Sequence, residues 1–538
     1  MYESPLPDLE LPKGNVVEDW LKSPNLQSRI DHPIVSDALT KESFTPRQII
    51  DGMGKHAALL RSKYGIEENS VVCIFTFNSI FHSILHLSIL SLGAQISPAN
   101  VMYTPEELAH QLRVVQPRLI ICAPENAKTT QEAIQLANFS TQVITLDQAA
   151  SEIRDLLQNR NAPSVSPIPV DGPEQHAYYC FSSGTTGLPK AVITTQGNIN
   201  AQFRQMNAVN HLMLKPGSRM TAFLPMSHIY GLTLFLWCAS YAAAHIVVFP
   251  KFELETVLRA ICAFDIEFCP LVPPVAVLLG KSPVVDKYPI HKHLKAIMSG
   301  AAPLAKSTGE LCRARIPNLT IHQAYGLTES SPFTHAVLGG FEDKYESSIG
   351  WLLPNVKARL VDPITEMDAE PGKPGELWLH GPNIMKGYYK NEQATEHTLS
   401  HGNWLKTGDV AIVDPETQQF YIVDRIKELI KSKGHQVAPA ELEALLLTHP
   451  HVQDVAVVGV NDSTESTELP RAFLVLQPGV LAHEVVAWFN SKVAKHKRLW
   501  GGAVLMDAIP KSPSGKILRR LLKDHKADEI HGVDKSKL

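Results

Sequence analysis

The stretch FSSGTTGLPK, residues 181–190, runs straight into AVIT at 191–194, and the reading of the whole chain turns on it. Four hydroxyl side chains, Ser182, Ser183, Thr185 and Thr186, share a short segment with Gly184, Gly187 and Lys190. Glycine lets backbone approach a bulky anion, hydroxyls and amide N–H groups donate to it, and the lysine adds a mobile positive charge. The segment therefore reads as a loop that holds phosphates. It is not the Walker loop, in which Gly-Lys-Ser/Thr opens a helix: here Lys190 is followed by Ala191 and the β-branched run Val192, Ile193 and Thr194, which reads as a strand. A Ser/Thr/Gly loop by itself also serves as a plain surface turn.

Outward from the loop, apolar strands at 71–77, 95–98 and 119–122 alternate with helical stretches at 80–92 and 105–115, the order expected of βα units on a parallel sheet. A second set of units runs from 175 through the loop to 334, and the segment 159–173, rich in Pro, Asn and Ser, connects the two sets. Short strands at 358–362, 375–380, 410–414 and 420–423, punctuated by Gly and Pro, predict a small β-barrel or distorted sheet. Beyond 424 the pattern becomes a compact α+β unit. It has a helix at 441–447 behind Pro439, strands at 455–460 and 472–477, and a helix with the stripe Val485, Val486, Phe489 and Val493. A last helix carries Ile517, Leu518, Leu521 and Leu522 on one side. The fold class is α/β: a large N-terminal domain over 1–423, made of two βα subdomains and the small barrel, and a mobile lid over 424–538.

A chain of 538 residues exceeds one compact core. With 50 basic and 54 acidic side chains, net charge −4, it offers no field to attract a polynucleotide or an anionic membrane. Seven scattered cysteines without a C-x-x-C pair indicate neither a disulfide framework nor a zinc site. The opening MYESPLPDLELPKG is acidic and proline-containing where a leader would be basic and apolar, so import by that end is not expected. The uncharged run 231–249 approaches a bilayer span in length, but Ser240 and His245 interrupt it and Pro250 ends it. It reads as a buried helix at 232–243 followed by a central strand at 246–249. At the far end, Ser536, Lys537 and Leu538 spell a peroxisomal address behind a charged tail.

Eight segments in order carry a resemblance: FSSGTTGLPK, LPMSHIYGL at 224–232, SGAAPL at 299–304, YGLTES at 325–330, GELWLHGP at 375–382, WLKTGDV at 404–410, VDRIKELIKSKGHQVAPAELE at 423–443 and IPKSPSGKILRR at 509–520. Together they resemble the core motifs of the adenylate-forming superfamily. The branch they resemble most is that of the 4-coumarate:CoA ligase-like acyl-CoA ligases, which also includes the beetle luciferases. The resemblance implies ATP, CoA and Mg²⁺ as cofactors, a small carboxylic acid as substrate, and two half-reactions through an acyl-AMP. It also raises the weight of a peroxisomal matrix location, with Ser536-Lys537-Leu538 read by the import receptor.

The chemistry explains why such parts are needed. A carboxylate is a poor acyl donor because its leaving group would be an oxide; attack on the α-phosphorus of ATP turns that oxygen into a phosphate ester. Two anions must meet, so cations and oriented donors have to neutralise charge. The resemblance implies that loop 182–190 holds the β and γ phosphates, that Thr328 adds a hydroxyl to the α phosphate, and that Glu329 ligates Mg²⁺. A TES tripeptide also starts helices. Further nucleotide contacts are implied at Gly300, Ala301, Ala302, Gln323, Ala324, Tyr325, Gly326 and Tyr421. Asp409, placed in a TGD turn, would accept from both ribose hydroxyls, with Arg425 on the same sugar. Lys516 would swing in beside the carboxylate and the α phosphate for adenylation.

For thioester formation the lid would turn about Lys427 and present Lys431, Lys433, Gly434 and Gln436 to the site and to CoA. His228 is implied as the gate between acyl pocket and thiol tunnel, although a histidine in an apolar stretch is also a common hydrogen-bonded core residue. The acyl pocket is bordered by Tyr230, Val272, Gly300, Ala301, Ala302, Ser331, Pro332 and Phe333. It is mostly apolar and lacks a charged anchor, leaving aryl, phenylpropanoid and medium-chain aliphatic acids open. The chain departs from the branch's usual pattern at Ala191, Gln196, Ala324, Phe333 and His435. Alanine at 191 and 324 argues against left-handed backbone there. Alternatives are an adenylating enzyme that serves a carrier protein, a luciferase-like oxygenase, and a non-enzymatic acyl or nucleotide binder.

Overall fold

The computed structural model describes residues 1–182, 188–209, 214–338, 347–362, 365–432, 435–461, 468–512, 515–525 and 529–532, with residues 435 and 436 described in their backbone alone. Strands Val71–Phe75, Gln95–Pro98 and Leu119–Cys122 are buried along their whole length. They pair in parallel, as continuous apolar runs covered on both faces do. The helices between them carry their own start signals. Pro105–Val115 opens on a reciprocal Thr104–Glu107 capping box with Pro105 in its first turn, and Pro46–Tyr64 opens on a Thr45–Gln48 box and ends on left-handed Gly65.

The phosphate-loop strands join this first sheet, not the second. His176–Ser182 pairs in parallel with Gln95–Pro98 and antiparallel with Lys190–Thr195, and Gly387–Tyr388 closes that edge. The expected second set therefore begins later in the chain. Its nine-stranded sheet centres on Arg219–Ala222, Phe268–Leu271, Ala296–Ser299 and Thr320–Gly326, and recruits the early strands Val35–Asp37 and Ser43–Phe44. Asn78 ties the two sheets together: its Nδ2 donates to Leu224 O at 2.9 Å and its Oδ1 accepts from Met226 N at 2.8 Å. The connector 159–173 is no loose linker, since Val165, Ile168 and Gly172 donate backbone N–H groups to Gly54, Ser91 and Lys13.

The uncharged run 231–249 lies inside the molecule as a buried helical segment, Leu232–Ala239, and a strand, His245–Val248, paired on both sides. Among the described residues no helix is long and apolar enough to cross a membrane. All seven cysteines are free, and six are buried.

A six-stranded antiparallel sheet follows, built on Lys357–Val361, Gly375–His380, Trp404–Val413 and Phe420–Arg425 and edged by the early strand Tyr2–Glu3. The TGD tripeptide lies within the strand Trp404–Val413, not in a turn. Gly408, at φ 72°, lets that strand bulge between its pairing with Trp378 and with Glu376.

The smaller C-terminal domain has cores of its own. One gathers Ile430, Val437, Leu442, Val485 and Phe489; the other, on the opposite face of the strands Val452–Asn461 and Glu468–Leu476, gathers Val458, Phe473 and Leu522. The last helix is short, Arg519–Lys523, so Lys516 precedes it by a bridged turn; Leu522 is buried, but Leu521 points out at 49% exposure, against the expected stripe. The lid touches the large domain through Lys281 Nζ, which donates to Val452 O at 2.9 Å, and through Gly515, where a side chain would meet Val272.

Candidate active site

The hairpin of His176–Ser182 and Lys190–Thr195 sets Ser182 opposite Lys190. The β-branched residues after Lys190 extend that strand as their side chains favour. Ser183, Gly184, Thr185, Thr186 and Gly187, which complete the loop, lie outside the described residues. Facing the hairpin, Thr320–Gly326 passes into the short turn Thr328–Ser330 and returns as Phe333–Ala336. Gly326 is required there, because a Cβ would collide with the Pro332 carbonyl. Ala191 and Ala324 both lie in ordinary strand backbone, as their identity requires, whereas Ala301 and Ser331 take left-handed φ of 68° and 70°.

The turn carries Glu329 to the hairpin. Its Oε1 accepts from Ser182 Oγ at 2.7 Å and from the Tyr388 hydroxyl at 2.9 Å. The Lys190 ammonium stands 4.6 Å from the centre of the Tyr388 ring. Both side-chain hydrogen bonds that the described residues make to this carboxylate fall on Oε1. A lone carboxylate of this kind suits Mg²⁺, which takes one or two carboxylates together with phosphate oxygens and water. No group of three or more His, Cys, Asp and Glu forms a metal cage among the described residues. Thr328, partly buried, starts the same turn.

A second cluster forms where the small sheet meets Tyr325. Asp409 and Arg425 are opposite residues of the strands Trp404–Val413 and Phe420–Arg425. Arg425 Nε donates to Asp409 Oδ1 at 3.1 Å, and the Tyr325 hydroxyl donates to Oδ2 at 2.6 Å. Each carboxylate oxygen keeps a further lone pair for another donor. Burial first, then the Asp409 charge, pushes the Tyr325 phenol well above its ordinary range, so it remains a donor. Tyr421 lies on the same strand as Arg425, and Gln323 Oε1 accepts from Leu304 N at 2.9 Å, pinning the loop of Gly300, Ala301 and Ala302.

Lys516 reaches this cluster from the lid. Burial lowers its pKa first and the Arg425 charge second, while Glu428, Asp409 and Glu329 pull it back up. Its loop is held by Ser512, whose backbone N–H donates to Lys516 O at 2.8 Å and whose Oγ accepts from Lys516 N at 3.2 Å. His228 feels the same ammonium: burial, then Lys516, lowers its imidazole to about 4, so it is neutral near pH 7, with Nδ1 accepting from Tyr230 N at 3.3 Å.

Of the residues expected to border the acyl pocket, Gly300 and Phe333 meet the Tyr230 ring. Tyr230 donates to Met298 O at 3.1 Å, lies where a Cβ on Gly300 would approach Cε1 to 2.9 Å, and meets Phe333 edge-on at 5.7 Å. Gln202 clamps the Phe333 backbone with two 2.8 Å hydrogen bonds. Pro332 follows Ser331 through a cis peptide bond, and Val272 packs beneath Gly515.

Among the described thioester-side residues, Lys431 stands apart from this assembly. Lys431 is exposed on the hairpin Ile430–Ser432 with His435–Val437, opposite Gln436, and its backbone N–H donates to Glu468 Oε2 at 2.8 Å. Lys433 and Gly434 lie outside the described residues, and so do Ser536, Lys537 and Leu538. Lys427 is exposed in a turn closed by Glu428 and Leu429 N–H groups on Arg425 O at 3.0 Å. Sequence reasoning missed Tyr388, Asp424 and Arg519. Asp424 is buried and accepts from Ala440 N at 3.2 Å, and Arg519 holds Glu428 at 2.8 Å and Glu443 at 3.1 Å.

The chain matches the family described as AMP-binding enzyme over residues 24–389 and the AMP-binding enzyme C-terminal domain over residues 441–516. It is 35% identical to a probable 4-coumarate–CoA ligase 1 of Dictyostelium discoideum, with 97% of each chain covered, and 34% identical to 4-coumarate–CoA ligase 1 of Petroselinum crispum, with 97% and 96% covered. Among solved structures it resembles an anthranilate CoA ligase in complex with anthranoyl-AMP, at TM-score 0.85 and 22% identity over 95% of this chain and 97% of that one.

Proposed function

This chain belongs to the AMP-binding enzyme family, and from that premise we propose that it is an ATP-dependent carboxylate:CoA ligase that forms acyl-CoA, AMP and pyrophosphate through an acyl-AMP. The observation that carries the reading is that Lys516 of the C-terminal domain, beside the charge of Arg425, lies within electrostatic reach of Asp409 and Glu329 of the large domain.

In the first half-reaction the acid would lie against Tyr230, Val272 and Phe333 with its carboxylate toward Lys516. The triphosphate would rest on the loop that joins Ser182 to Lys190, with Thr328 donating to the α phosphate. Glu329 would hold Mg²⁺, which supplies charge neutralisation on the phosphate oxygens. Asp409 and Arg425 would fix the ribose, and Lys516, kept in a partly buried pocket, would place its ammonium between the two anions. A neutral His228 would let the uncharged thiol reach the acyl carbon once the lid has turned and Lys431 has taken the place of Lys516.

The pocket supports a compact apolar acid, aryl, phenylpropanoid or medium-chain aliphatic, because the edge-to-face pair of Tyr230 and Phe333 walls it without a charged anchor. The names of the relatives, 4-coumarate–CoA ligases, favour the aromatic end of that range. A panel of free acids assayed for pyrophosphate–ATP exchange and for CoA-dependent AMP release tests the proposal. Exchange without CoA-dependent release would move the acceptor from CoA to a carrier protein, and no exchange with any acid would end the reading. The peroxisomal address at Ser536-Lys537-Leu538 is likewise a proposal; deleting it from a fluorescent fusion should return the signal from peroxisomes to cytosol.

A further inference from the structure

One short segment, 382–389, grips both halves of the phosphate site. Asn383 Nδ2 donates to Ser330 O at 3.1 Å and to Phe333 O at 2.8 Å, and Met385 N donates to Glu329 O at 2.8 Å. Lys386 N and Tyr389 N bond Ile193 O and Ala191 O, so Gly387–Tyr388 becomes an edge strand with Tyr388 opposite Val192. Asn198 Nδ2 fastens the segment from behind, on Pro382 O at 2.7 Å and Ile384 O at 2.9 Å. In that register the Tyr388 hydroxyl reaches Glu329 Oε1 and its ring underlies the Lys190 ammonium. Tyr388 is only 7% exposed, and its backbone N–H is held by Thr395 Oγ1 at 2.9 Å, so the ring has a fixed seat.

We propose that Tyr388 is a positioning residue for magnesium–ATP: its hydroxyl, with that of Ser182, fixes Glu329 Oε1 so that Oε2 is left for the metal, and its ring holds Lys190 beside the loop until phosphate draws the charge away. The inference rests on the reading of Glu329 as the metal ligand and of Lys190 as a phosphate contact. A carboxylate already held by two donors loses little freedom when a cation binds, and removal of such an outer partner typically weakens metal affinity by about tenfold to a hundredfold. A cation over an aromatic ring is bound more weakly than a cation on phosphate, so the ring stores the lysine without trapping it.

Tyr388→Phe keeps the ring and removes only the hydroxyl, and its melting temperature checks that the fold survives. ATP binding is measured by calorimetry with magnesium and with EDTA, for wild type, Tyr388→Phe and Glu329→Gln. Tyr388→Phe should weaken magnesium–ATP by about tenfold and leave ATP in EDTA within about twofold, with the KM for magnesium–ATP raised more than kcat is lowered. Wild-type affinity for magnesium–ATP, or equal losses with and without the metal, would overturn the proposal. Glu329→Gln separates the two readings: if it keeps the full magnesium dependence of wild type, Glu329 is not the ligand, and the inference falls with that reading.

Discussion

Lys516 and Lys431 ride on the same small domain in opposite surroundings. Lys516 is partly buried and feels the charges of Arg425, Glu428, Asp409 and Glu329, with its loop against Val272, whereas Lys431 is exposed on a two-stranded hairpin. The burial that lowers the Lys516 pKa makes its charge costly, and such a cost is sustained where an anion is to be met. Under the roles proposed for the two lysines, the difference assigns this arrangement to the adenylation half of the cycle.

The comparison breaks most sharply at Lys516. Lys516→Ala should lower pyrophosphate–ATP exchange by roughly 10² to 10³, the cost of removing one preorganised charge stabiliser, while supplied acyl-AMP still becomes thioester. Lys431→Ala should do the reverse, slowing thioester formation by about tenfold to a hundredfold, the worth of a hydrogen bond to a charged group, with exchange intact. Single-turnover assays of each half-reaction read both, and equal damage to both halves by both variants would remove the two-position lid.

A smaller effect sharpens what Lys516 faces. Phe333→Val removes one ring of the aromatic pair, so kcat/KM for acids longer by one or two methylenes should rise roughly tenfold relative to the shortest good substrate. An unchanged ranking across a homologous series would place the pocket's end elsewhere.

The smallest effect concerns the joint that precedes both lysines. Asp424 lies before the turn that carries Lys427 and accepts from Arg425 N at 2.7 Å and from Ala440 N, at the start of the helix Pro439–Leu447. Burial raises its carboxyl to about 6 despite those bonds and the nearby Arg519 charge, with Glu428 adding to the rise. A raised carboxyl binds its proton more tightly folded than unfolded. Its contribution to stability is therefore complete below 3.8 and is lost as pH rises through about 6. Asp424→Asn should leave Tm near wild type at low pH and raise it by roughly a degree or two above the upper value. A pH-independent difference would show that Asp424 does not titrate in that window.

Much of this was legible in local chemistry. The strands Gln95–Pro98 and Leu119–Cys122 fall where apolar runs end, and Ser182 and Lys190 frame a loop between strands as the β-branched run implies. What escaped was set by long-range pairing. Tyr325 and Asp409 meet across 84 positions, and the hairpin joins its sheet by the parallel pairing of Tyr178 with Ile96. Placing Asp409 in a turn failed because glycine at 408 reads as a turn signal, whereas within a sheet it permits a bulge. Tyr388 escaped because a two-residue edge strand has no periodicity to detect.

The strand Tyr2–Glu3 has one further implication, for biosynthesis. Ser4 bonds Leu352 across 348 positions, and Tyr2 aligns with Ala358 on the sheet that carries Asp409. At translation speeds of about 5–20 residues per second, Tyr2 waits roughly 20–70 s for Ala358 to be made. The sheet that carries Asp409 is thus completed late, by a strand made long before its partner, and a ribosome stalled before that point releases a chain in which this sheet has an open edge.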